Sequence, residues 1–163
     1  RSMASHRISI RKGFTLLEVL IILGLIAVVG ALGLIISLDD YRAFHMHNER
    51  DMVVAVLQKA RSQAINNMCF GSGCTDGKSH GVYFDHAGHY VIFQGASYGA
   101  RDTAIDESID AKDDAALITG SSEIVFAPLT GNVATTLTVT VTDVSGRISV
   151  ITVEPEGRIW WTN

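Results

Sequence analysis

The chain has 163 residues, with 13 Lys+Arg against 17 Asp+Glu for a net charge of −4, and 47% of its residues are hydrophobic. That length excludes two globular domains and leaves room for one with a modest core. The acid excess excludes a surface built to hold phosphate backbones by counterion release.

The first 13 residues carry Arg1, Arg7, Arg11 and Lys12 and no acid. From Phe14 to Ser37 only Glu18 can carry charge, and residues 19–36 hold no charge, proline or amide. As a helix, residues 14–38 would be about 37 Å long, enough to cross a bilayer core of ~30 Å. A basic start before an apolar run is also the layout of a secretory signal. Here the run exceeds the ~7–15 residues of a signal core, and no small-x-small cleavage pattern follows it. The basic residues predict a cytoplasmic N-terminal side, with the remainder crossing. Glu18 is the oddity: an acid at mid-membrane costs ~2.5–3.5 kcal/mol on insertion scales, less near an end. A single-pass anchor with an incidental acid would account for the run but not for Glu18.

Lys12-Gly13-Phe14-Thr15-Leu16-Leu17-Glu18-Val19-Leu20 resembles the type III signal of type IV prepilins and type II secretion pseudopilins. The resemblance implies that a membrane prepilin peptidase cuts between Gly13 and Phe14 and N-methylates the Phe14 amine. The leader, residues 1–13, is then lost, while residues 14–38 stay as membrane anchor and filament-core helix. The new amine has a reference pKa of ~8 and is mostly protonated at neutral pH. Phe14 and Glu18 are four apart, so amine and carboxylate share a helix face. A paired buried charge costs far less than a lone one, which makes Glu18 an expected assembly residue. Gly24, Ala27, Gly30, Ala31 and Gly33 would permit close helix approach. Many pilins bend this helix with a proline; this chain has none there, which predicts a straighter or glycine-softened helix. Without the four leader bases the balance is 9 bases against 17 acids, a net of −8.

The helix is expected to continue through residues 39–67, which lack Gly and Pro. Val53, Leu57, Ala60 and Ala64, with Val56 and Ile65 beside them, form an apolar stripe that needs a sheet to cover it. Glu49, Arg50, Gln58, Lys59, Arg61 and Gln63 are read as the opposite, polar face. Asn66-Asn67 is the expected stop.

Cys69 and Cys74, the only cysteines, lie beyond an export signal and read as a disulfide in an oxidising compartment. Gly71 and Gly73 give their loop its freedom. The alternative is zinc, with His80, His86 or His89, although the spacing matches no standard finger. His45 and His47 are two apart on a helix and make a poor metal pair.

From residue 68 onward the domain reads as β-rich. Residues 81–85 and 90–94 form a hairpin around Gly88. Residues 95–114 read as an acidic surface loop holding Asp102, Asp106, Glu107, Asp110, Asp113 and Asp114. Some related pseudopilins bind calcium in such a loop, but these acids match no loop motif. Residues 123–131 read as a strand ended by Pro128 and a turn at Thr130-Gly131. Residues 137–143 alternate apolar and polar as a half-buried strand should, and Ser145-Gly146 turns the chain into a partner strand at residues 148–153. Phe-x-Pro-x-x-Gly, the Thr/Val hairpin and Pro155-Glu156-Gly157-Arg158-Ile159 look like the GspH/FimT group of minor pilins and pseudopilins.

The fold expected is therefore α+β: a long N-terminal helix, transmembrane then amphipathic, on an antiparallel sheet domain, the pilin fold. No nucleophile elbow, paired catalytic set or phosphate loop is present, so a structural subunit rather than an enzyme is expected, with no cofactor and no metal. The resemblance implies a minor pseudopilin near the tip of a type II secretion pseudopilus, or alternatively a minor pilin of a type IV pilus serving assembly, adhesion or DNA uptake. It implies as partners a prepilin peptidase, other pilins or pseudopilins, the inner-membrane assembly platform and, before assembly, membrane lipid. Location would be the inner membrane with a periplasmic C-terminal domain, then the filament. DNA-binding members of the group would carry a basic C-terminal end. Here Arg158 stands alone before Trp160 and Trp161, and nucleic acid is not an expected partner. The two tryptophans fit a partner contact or the core.

Overall fold

The computed structural model describes residues 13–72, 74–85, 89–110, 117–144 and 146–163, and for residues 34–42 the backbone only. The expectations at Arg1, Arg7, Arg11, Lys12, Gly73, the 86–88 turn with His86, Asp113, Asp114 and Ser145 lie outside these residues. The chain divides into two units, Arg1–Asp40 and Tyr41–Asn163.

Helix α1 runs from Leu16 to Ile65, 50 residues. Thr15 starts it: its Oγ1 accepts the Glu18 N–H at 3.3 Å, satisfying one of the free donors of the first turn. Asn67 ends it, with φ 53, a left-handed conformation that Asn tolerates better than most residues. The N–H groups of Asn67 and Met68 turn back to the carbonyls of Ala64 and Gln63, both at 3.0 Å. That is the Schellman arrangement, and it makes Asn66-Asn67 the physical stop.

In the second unit α1 buries Val53, Val56, Leu57, Ala60 and Ala64, while Ile65 at the rim is 37% exposed. Glu49 was expected on the polar face, yet it is buried at 2% exposure. It lies four residues before Val53, so it continues the apolar stripe by one turn. The Tyr90 hydroxyl donates to its Oε2 at 3.0 Å, so the acid enters the core with a partner.

Among the described residues eight strands form two antiparallel sheets. The first has the order β3 (Glu107–Asp110), β2 (His89–Gln94), β1 (His80–Phe84), β5 (Glu123–Phe126); the second has β4 (Leu117–Gly120), β6 (Leu137–Thr142), β7 (Ile148–Val153), β8 (Ile159–Thr162). Alternation sets the faces. Val82, Phe84, Tyr90, Ile92, Ile124 and Phe126 of the first sheet and Val139, Val141, Ile151 and Val153 of the second join the helix stripe in one core. Each fully buried Val, Leu or Phe is worth roughly 1.5–3 kcal/mol relative to exposure.

The sheets are interleaved along the chain, since β4 belongs to the second and β5 to the first. The link between them is bonded to both: Ser121 N–H donates to the Thr138 carbonyl at 2.9 Å, and the Ser122 carbonyl accepts from Phe84 N–H at 2.8 Å. Gly120 permits this crossing. It has φ 105, and a Cβ there would strike the Thr138 carbonyl oxygen.

One expectation needs correction, and two strands join the expected set. The segment read as a surface loop from Gly95 to Asp114 contains two 3-10 turns, Tyr98–Ala100 and Thr103–Ile105, and strand β3. It covers the outer face of the first sheet: Tyr98 stacks on Tyr83 at 3.8 Å and meets Phe93 edge-on at 5.7 Å, with the Arg101 guanidinium 3.5 Å over its ring. The cover is made of tyrosine and arginine rather than aliphatic residues, which hides it from a hydrophobicity pattern. β3 is an exposed edge held by its ladder to β2, with Tyr90 opposite Ile109. The strand from Glu123 ends before Pro128 as expected, at Phe126, and residues 127–132 form a turn in which Ala127 N–H donates to the Asn132 carbonyl at 2.8 Å. Strands β4 and β8 are additions to the expected set.

Candidate functional site: an exposed apolar helix with one acid

In the first unit every residue from Gly13 to Gly33 is exposed. The window Leu16–Gly33 has a mean hydropathy of 2.7, is 0% buried, and is long and apolar enough to cross a membrane. A Cβ on Gly24, Gly30 or Gly33 would meet nothing within 4 Å. Among the described residues these glycines serve no packing, and their close-approach capacity is open to another helix.

Phe14 is 76% exposed and immediately precedes the helix cap. Glu18 stands in the first turn, where its charge favours the positive end of the helix dipole by about 0.3–1 kcal/mol. Thr15-Leu16-Leu17-Glu18 is thus a capping-box pattern, which the sequence displays and which the signal reading passed over. Gly13, Phe14 and Glu18 lie within two turns of one helix start, with the cap between them.

The other singled-out residues sit in the second unit. Cys69 and Cys74 are joined as a disulfide with Cα atoms 5.7 Å apart. Their loop is tied to β2 by a two-way amide contact: Phe70 N–H donates to Gln94 Oε1 at 2.7 Å, and Gln94 Nε2 donates to the Phe70 carbonyl at 3.3 Å. With both thiols in a disulfide, neither is a zinc ligand. His80 and His89 lie near opposite ends of the β1–β2 ladder, where His80 faces Gln94 and Phe84 faces Tyr90. Four residues of strand put these ends on the order of 14 Å apart, too far for one metal ion. Among the described residues no three potential ligands gather.

The acids between residues 102 and 110 each have a partner. Asp102 Oδ1 accepts from Ala104 N–H at 3.0 Å, and Asp106 Oδ2 from Arg101 Nε at 2.7 Å. Glu107 is paired with Lys59, and Asp110 lies 2.8 Å from His89 Nδ1. These contacts engage the acids separately rather than converging on one point, and no calcium cage forms among them.

At the C-terminal strand Arg158 forks onto Glu154, with Nε to Oε2 at 2.7 Å and Nη2 to Oε1 at 2.9 Å. Trp160 Nε1 donates to the same Glu154 at 3.0 Å. The Arg50 guanidinium lies 5.2 Å over the Trp161 ring. Both tryptophans remain about 40% exposed. Burial first and Glu49 second push the Tyr90 hydroxyl well above its ordinary pKa, so it stays a donor.

A family model described as "Type II transport protein GspH" matches residues 51–157. The match starts in the buried stripe of α1 and takes in seven strands, from β1 to β7. No curated protein and no solved structure matches the chain. With well over half of its length matched, and with an N-terminal apolar helix followed by antiparallel sheets, this α+β chain belongs to the GspH family of type II transport proteins.

Proposed function

We propose that the protein is a minor pseudopilin: a structural, non-catalytic subunit at or near the tip of the type II secretion pseudopilus, supporting protein export across the outer membrane. The observation that carries this reading is the fully exposed apolar window Leu16–Gly33 with Glu18 in its first turn, directly behind Gly13-Phe14. Such a surface needs cover, first by lipid and then by the apolar helices of other subunits.

In this reading residues 1–13 are a cytoplasmic leader removed by a prepilin peptidase, which N-methylates Phe14. Residues 14–38 then anchor the subunit in the inner membrane, residues 39–67 continue the helix, and residues 68–163 stand in the periplasm. There the Cys69–Cys74 disulfide persists. On extraction through the assembly platform, the Glu18 carboxylate pairs with a methylated amine of its own or a neighbouring subunit. The acid excess of 17 acids over 13 bases supports secretion over DNA capture.

Processing is testable directly. Coexpressed with a prepilin peptidase, the wild-type chain should lose residues 1–13 and begin at N-methylated Phe14 by mass spectrometry. Gly13→Ala should retain the leader. Normal cutting of the variant would overturn the assignment.

A further inference from the structure

The two sheets end in four edge strands, β3, β5, β4 and β8. An edge presents unpaired N–H and C=O groups, which proteins guard with charge, proline, bulges or brevity. β3 carries Glu107 and Asp110. β5 starts at Glu123, whose carboxylate takes the Tyr98 N–H at 2.8 Å, and stops before Pro128. β4 leaves its sheet at Gly120, where φ is 105. β8, Ile159-Trp160-Trp161-Thr162, has no charge, no proline and no glycine, and its one guard is its length of four residues. It pairs with β7 on one side, and among the described residues no strand lies on the other. In an antiparallel pair alternate residues turn their N–H and C=O away from the partner strand, so about half of the β8 backbone groups face outward.

The two tryptophans flank this edge, one on each face of the sheet. Directly paired residues share a face. Trp161 is opposite Ile151, which is fully buried, so it lies on the core side at the rim. Trp160 is opposite Thr152 and lies on the outer side. The rings are 42% and 40% exposed, which leaves large apolar area to cover. Both are already held in place, Trp160 by its hydrogen bond to Glu154 and Trp161 beneath the Arg50 guanidinium. Rings fixed before contact lose little freedom on binding.

Backbone groups set out at strand spacing are matched by another extended backbone. Four residues supply few such bonds, so side chains must add to the grip. A strand laid along β8 would set alternate side chains against Trp160 and Trp161. The nearby acids Glu154 and Asp51 are paired with Arg158 and Arg50, so the edge is locally neutral and suits uncharged side chains. A second copy of the chain is a poor occupant. Residues 41–163 hold 9 bases against 14 acids, a net of −5, and two such units repel.

We propose that β8 is a docking edge that accepts an extended, uncharged strand of a different, neutral or basic protein, gripped between Trp160 on the outer face and Trp161 on the core face. The edge is open whichever assembly the chain joins.

The test uses the full ¹⁵N-labelled chain in detergent micelles. The probe is a soluble strand peptide, acetyl-Lys-Val-Thr-Val-Thr-Val-Lys-amide, and the control is the same peptide N-methylated at its five central residues, which cannot donate from its backbone. At millimolar peptide the β8 amides and the indole N–H signals of Trp160 and Trp161 should shift saturably, with slowed exchange of the outward β8 amides, and the control should leave them unmoved. Trp160→Lys removes one ring and charges the edge, so it should weaken binding about tenfold while the amide signals of β1 and β2 stay in place. No saturable shift at β8, an equal response to the N-methylated peptide, or undiminished binding by Trp160→Lys would each overturn the proposal. Concentration-dependent β8 shifts without peptide would overturn it too, in favour of a second copy as occupant.

Discussion

Glu18 stands in the first turn of α1 and, in the function proposed, pairs with an amine; one substitution separates the two roles. It sits at the third helical position behind Thr15, where either Glu or Gln completes a capping box, and its charge is what a methylated amine would pair with. Glu18→Gln should therefore keep the helix start and the leader cut, yet integrate poorly into filaments. Crosslinking of subunits in a reconstituted system would measure this, and assembly at the wild-type level would remove the charge-pairing role. Glu49 teaches the opposite lesson. Its charge suggested solvent, but its position one turn before Val53 put it in the core, where Tyr90 meets it. Periodicity was the better guide there, and the partner that makes burial tolerable lies 41 residues away, invisible to any local pattern. His80 was equally opaque: its isolation from His89 became apparent only through the β1–β2 register.

Among the elements, α1 was legible because its signals are local: an unbroken apolar run, a four-three-four stripe and an Asn-Asn stop. The strands at residues 137–142 and 148–153 were legible for the same reason, their alternation. β3 was not, because a four-residue exposed edge with a single apolar side chain, Ile109, carries almost no pattern and is defined by its neighbour β2. The segment between Gly95 and Ile105 misled for a related reason, since it packs through Tyr98 and Arg101 rather than through aliphatic residues. The disulfide loop is the element whose stability can be read off most simply. Closing a loop of about six residues constrains the unfolded chain by roughly 2 kcal/mol. The double substitution Cys69→Ser, Cys74→Ser should lower the melting temperature of the β-rich domain by roughly 8–10 °C. A change under a degree, with the wild-type bond verified intact by mass, would show that the loop is held by the Gln94–Phe70 amide pair instead.

At the scale of the molecule, the fold class was open to the sequence but the division into two sheets was not, because it rests on Gly120–Ser122 passing between partners that lie far apart along the chain. Interleaving has a thermodynamic consequence. The helix stripe shares one core with both sheets, so neither sheet keeps its cover when the other is lost. Ile124→Ala in the first sheet and Ile151→Ala in the second should each cost about 2–5 kcal/mol. Both should displace one common urea transition of the β-rich domain, followed by fluorescence of Trp160 and Trp161 and by near-ultraviolet dichroism of Tyr83 and Tyr98. Two separate midpoints in either variant would contradict the shared core. The same interleaving also sets a clock. The first sheet has all its strands once Phe126 has been made, but Val139, Val141, Ile151 and Val153 come later, and β8 ends at Thr162. At roughly 5–20 residues per second, synthesis of that remainder lasts about 2–7 s. For those seconds one side of the α1 stripe stands bare, which makes the newborn chain, rather than the finished one, the form most in need of protection from aggregation.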